Sequence, residues 1–206
     1  MGSKAAMVVF TEAKPNRIFR NTSEINHTKS KHLAELTLGV ASHEIDPIAL
    51  DLAVWPDDGV TCAASFPKYE IVCSRELAQH KPSELTGQIS RLAAGRNAYA
   101  VFMHSATDWT AFAVWSGGHL LRSLSVSPGS GVIEDVGDRY SFEAPFWRGQ
   151  HQVQGGAPYA LPFHPIDLGN EALREFFGFI LEGQEDETCL DPEEVEIPAF
   201  RAALQP

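Results

Sequence analysis

Residues 108–127, DWTAFAVWSGGHLLRSLSVS, constrain the fold more than any other stretch of the chain. Aromatic and β-branched residues fill both halves. Between them, Ser116-Gly117-Gly118 marks a tight hairpin turn, where glycine reaches positive φ without steric cost. Two strands alone bury too little surface to persist in water, so the rest of the chain must build a sheet around them. Trp109 and Trp115 lie six apart, and the two-residue period of a strand puts both on one face as core.

Other segments extend that sheet. KAAMVVFT (4–11) predicts a buried strand, and NAYAVFMHS (97–105) predicts one buried on both faces. VTCAASFPKYEIVCS (60–74) predicts two short strands around Phe66-Pro67-Lys68. Three stretches predict helices: 22–39, capped by Thr22 or Ser23 and stopped by Gly39; 81–95, capped by Ser83 and ended by Gly95; and 169–183, with Leu173, Phe176, Phe177 and Ile180 along one side. Asp46-Pro47 predicts the start of a further short helix. Together these predict an α+β class: a single domain over residues 1–183, its mixed or mostly antiparallel sheet carrying about three helices on one face. An acidic C-terminal segment, 184–206, follows.

Charge and cysteine usage narrow the function classes. The chain of 206 residues carries a net charge of −11. Residues 182–196 alone hold eight acids and no base, whereas the first 32 residues hold six Lys or Arg against two acids. An acidic surface repels nucleic-acid phosphates, which argues against general nucleic-acid binding. No apolar run approaches the roughly 18 residues of a membrane span. Cys62, Cys73 and Cys189 leave at least one thiol unpaired and form no CxxC pair, as expected of a reducing cytoplasm. A Cys62–Cys73 disulfide is open to them if the two lie on neighbouring strands.

The chain lacks GxGxxG, GxxxxGK[ST], GxSxG and HExxH, and no cofactor is expected. The catalytic candidates are His104 and Asp108, a histidine at a strand end with a carboxylate four residues on, in the pattern of a general base and its orienting group. The competing reading is that Asp108 caps the turn and His104 packs. The binding candidates are Trp109, the loop residues Ser127 and Gly129, the acids Glu134, Asp135 and Glu143, and His164. His104, Asp108, Glu134, Glu143 and His164 also have the ligand types for a hard divalent ion, although their spacing does not demand convergence.

The segments MHSATDWTAFAVW, RSLSVSPGSGVIEDVG, FEAPFW and LPFHPIDLGNEALREFFGFILEG, with the Phe66-Pro67 turn, resemble an actinobacterial family known only as a domain of unknown function. The likeness is strongest over residues 97–183. It implies a cytoplasmic bacterial protein with a shared fold, and it implies no activity. The expected function is a non-catalytic binding or protein-interaction module whose recognition surface is formed by the loops around 104–109, 127–135 and 143–165; its acidic run either meets a basic partner or is a solvated face. The alternative is a metal-assisted hydrolase built on the His/Asp/Glu set.

Overall fold

A computed structural model describes residues 2–13, 15, 19, 24–153, 160–183 and 187–203. Its strands are β1 (Lys4–Thr11), β2 (Ser42–Ala49), β3 (Val60–Ser65), β4 (Tyr69–Cys73), β5 (Asn97–His104), β6 (Trp109–Ser116), β7 (His119–Ser127), β8 (Gly131–Val136) and β9 (Glu196–Ala202). Its α-helices are α1 (His27–Leu38), α2 (Leu50–Ala53), α3 (Thr86–Ala93), α4 (Ala144–Trp147) and α5 (Pro165–Phe177). The strands form one sheet in the order β2-β9-β3-β4-β1-β5-β6-β7-β8, and every neighbouring pair is antiparallel.

The hairpin is where the sequence puts it. β6 and β7 pair from Thr110↔Val126 to Ser116↔His119, and Gly117 and Gly118 turn between them at φ 56° and 82°. β5 lies in the middle of the sheet and is buried on both faces. Tyr99, Val101 and Met103 join a core with α2, α4 and α5, while Ala98, Ala100 and Phe102 join a second core with α1 and α3. Trp109 and Trp115 share this second face. Small residues (Ala98, Ala100, Ala111, Ala113) dominate the sheet there and let the helices sit close.

The expected fold class is overturned. In place of a mixed or mostly antiparallel sheet with about three helices on one face, a single nine-stranded antiparallel sheet dominates the molecule, with helices against both faces. The sequence signal failed in β2, β8 and β9. β2 and β8 are edge strands and need no apolar run. β2 and β9 each contain a proline, which ordinarily argues against a strand. The register resolves this: Ile45 pairs with Ala199 and Ile48 with Ile197, so Asp46-Pro47 on β2 bulges opposite Pro198 on β9. Both missing N–H groups fall where the ladder is already broken. Asp46-Pro47 therefore marks a bulge, and α2 begins only at Leu50.

The remaining differences are at helix ends. Asn26 caps α1 by accepting a hydrogen bond from the Lys29 N–H, and Gly39 closes it at φ 72°; Thr22 and Ser23 lie outside the described residues. α5 begins at Pro165 with His164 as its cap and ends at Gly178, so Ile180 lies past it. Cys62 and Cys73 sit directly opposite each other on β3 and β4, yet both are free thiols. Burial pushes the Cys62 thiol up to about 12.

Candidate functional site

The sequence candidates divide into three groups that do not meet. Glu143 and Asp135 belong to a buried ion-pair network beneath the α4 face. Arg122, 1 % exposed, donates from Nε and Nη2 to the two carboxylate oxygens of fully buried Glu143, at 3.0 and 2.6 Å. Its Nη1 donates to Asp135 at 2.5 Å and to the Val136 carbonyl at 2.9 Å. Glu143 also accepts the Tyr140 N–H at 2.7 Å. Burial alone lowers the affinity of Arg122 for its proton, but the hydrogen bonds it donates to both carboxylates outweigh that and raise the pKa. Such a bidentate, fully partnered pair is structural chemistry.

Glu134 and Trp109 form the second group. Glu134 accepts from the hydroxyls of Ser83 and Ser123 and from the Ser83 N–H, tying β8 to the segment ahead of α3. Ser83 is thus a donor to Glu134 and not a helix cap. Trp109 is buried, donates to Ser125 Oγ at 3.0 Å and packs on the His80 ring at 4.8 Å. Ser127 and Gly129 shape the β7–β8 turn, where Ser127 Oγ accepts the Ser130 N–H.

The third group faces a cleft. The partner of Asp108 is His164, with Nε2 to Oδ1 at 3.6 Å, and not His104. His164 Nδ1 accepts the Ile166 N–H at 3.3 Å as the α5 cap. That leaves Nε2 as the proton-bearing nitrogen, directed at Asp108. Asp108 is placed by a left-handed turn at φ 47°, a conformation open to aspartate. His104 ends β5 on the other side of that turn. Its ring meets Trp55 edge-on at 5.4 Å, and its Nδ1 is buried without a hydrogen-bond partner among the described residues. Burial first, then the charge of Lys4, lowers its pKa, so the neutral form is favoured. The five groups weighed as metal ligands thus divide among these three places, and among the described residues no group of three His, Cys, Asp or Glu is arranged to hold a metal ion.

Three adjoining cavities, of about 360, 450 and 510 Å³, make this cleft a continuous groove around one end of β1 and β5. Asp51 and Leu181 are shared by the first two, Gly2 by the first and third, and Glu182 by the second and third. The third cavity is walled by Ser105, Asp108, His164 and Asp167. The second adds Glu187, Asp191 and Glu193. The first is walled by Lys4, Asp51, Leu52 and Trp55, and Leu52 is 54 % exposed at its rim. Seven carboxylates thus line the groove among the described residues, and Lys4 is its one Lys or Arg. Sequence reading singled out Asp108, His164 and the acidic run that holds Glu182, Glu187, Asp191 and Glu193, but missed Asp51 and Trp55. Only the fold brings α2, the start of β1 and the segment after α5 together.

A model of a family of unknown function (DUF6928) matches residues 5–200. No curated protein and no solved structure matches the chain.

Proposed function

We propose that this chain, which belongs to the family of unknown function just described, is a non-catalytic binding module that takes a basic protein segment in its acidic groove. The observation that carries this reading is the lining of the groove, seven carboxylates against one lysine. Opposite charges across an interface steer encounter and reject like-charged competitors. The acids of the sheet half (Glu134, Asp135, Glu143) are engaged in hydrogen bonds within the fold. In the groove, Asp108, Glu182 and Asp191 also have partners in His164, the Ser3 hydroxyl and the Glu193 N–H, whereas exposed Asp167, Glu187 and Glu193 line its open space. The proposed setting is the cytoplasm of an actinobacterium. It rests on the motif resemblance and on the free thiols of Cys62 and Cys73.

Titration with a short Lys- and Arg-rich peptide, followed by calorimetry, tests the proposal. Binding should weaken steeply between about 50 and 300 mM salt, because surface charges are screened over a Debye length of about 10 Å at 0.1 M. Exchanging Asp167 and Glu193 for lysine should weaken it at least tenfold. A peptide of the same length rich in Glu binding equally well would overturn the reading.

A further inference from the structure

The single cation of the groove is as informative as its acids. Lys4 lies at the start of β1, paired across the sheet with His104. Its ammonium is held 5.9 Å from the Trp55 ring centre and forms no ion pair among the described residues. Asp51 lines the same cavity of about 360 Å³, and its Oδ1 is buried with no hydrogen-bond partner among the described residues. A cation and an anion that share a cavity without pairing leave both charges for a guest. Leu52, more than half exposed at the rim, and Leu181 give the guest an apolar contact. The cavity opens at Asp51 and Leu181 into the acid-lined part of the groove.

A guest that matches this layout is basic along most of its length and carries one anion at one end. We propose that the cavity captures the C-terminal residue of a basic peptide. The α-carboxylate accepts from Lys4 Nζ, the cationic side chain of that residue pairs with the half-buried Asp51 carboxylate at the cavity wall, and the upstream residues lie along the groove. This deepens the reading above and rests on it. Trp55 acts here as a positioning residue, with its ring holding the Lys4 ammonium at the cavity wall by cation–π attraction. A terminal carboxylate is rare on a protein surface compared with internal basic segments, so its capture gives selectivity that charge alone does not.

The test compares one Lys- and Arg-rich peptide in three forms: free C-terminal acid, C-terminal amide, and free acid with its N-terminus acetylated. Capture requires the acid to bind about five- to tenfold tighter than the amide, with acetylation of the N-terminus having no effect. Lys4→Met keeps the length and removes the charge, and it should abolish the acid–amide difference while leaving binding of the amide nearly unchanged. Asp51→Asn should weaken acid and amide alike when the last residue is Lys, and neither when it is Ala. If acid and amide bind equally to the unaltered protein, capture of the terminus is wrong while the basic-groove reading stands. If none of the basic peptides binds, both fall. Because the peptide comparison needs no variant, a poorly folding substitution cannot decide the outcome.

Discussion

Arg122 shows how carboxylates that look functional in sequence can be spent on the fold. It lies between two carboxylates singled out as binding candidates, and it engages both. Its Glu143 partner is fully buried, so removing that charge strands a guanidinium in a low-dielectric site. Glu143→Gln should cost about 3–5 kcal/mol, read as a fall in the urea midpoint at unchanged slope. Asp135→Asn should cost clearly less, because the Asp135 side chain is 30 % exposed and water takes over part of its role. Equal losses would show that burial is not what sets the cost. His104 carries a different signature. Its folded pKa lies below the ordinary 6.5, mainly through burial and then through Lys4. As the pH falls through 6.5, the unfolded chain takes up a proton that the native chain refuses. Stability therefore falls with pH from 6.5 down to the folded pKa and levels off below it. Denaturation midpoints collected from pH 8 to pH 5 should show that slope in the unaltered protein, and His104→Gln should flatten it.

At the scale of elements, α5 is held on the sheet by an absence of side chain. A Cβ on Gly169 would stand 2.7 Å from Thr110 Oγ1 and 2.8 Å from Met103 Cγ and Sδ, on the paired strands β6 and β5. Alanine is the better helix former by up to about 1 kcal/mol. Crowding against two central strands outweighs that gain, so Gly169→Ala should lower stability by about 1–2 kcal/mol in a thermal melt, and Gly169→Val by more. A stabilised Gly169→Ala protein would show that α5 can move outward freely. The same helix shows what a sequence reveals about an element. Leu173, Phe176 and Phe177 announce its buried side, but its start at Pro165 is hidden because His164, a rare cap, replaces the usual Ser, Thr or Asp. The hairpin and β5 were legible because their apolar content is continuous. β2 and β9 were not, since Pro47 and Pro198 read as breaks until their shared bulge is seen. Asp108 and His164 were recognisable as polar residues near a strand end, but their pairing depends on two loops that no local pattern connects.

At the scale of the whole molecule, the sheet has helices on both faces and leaves its polar business to one end, where β1 starts, β5 finishes and the groove begins. The net charge of −11 is thus partly organised. A share of it surrounds a concave surface, and the association rate of a basic ligand should fall more steeply with salt than its dissociation rate rises, a split that stopped-flow mixing resolves. The strand order has a separate consequence. β9 fills the slot between β2 and β3, so two strands made early wait for one made late. On the ribosome, the other eight strands are made before that slot can close, and until then β3 presents an open hydrogen-bonding edge. The sheet is thereby zipped shut only by the last of its strands to be made, and an abortive product stopping short of Glu196 is a template for clumping and not a smaller version of the protein.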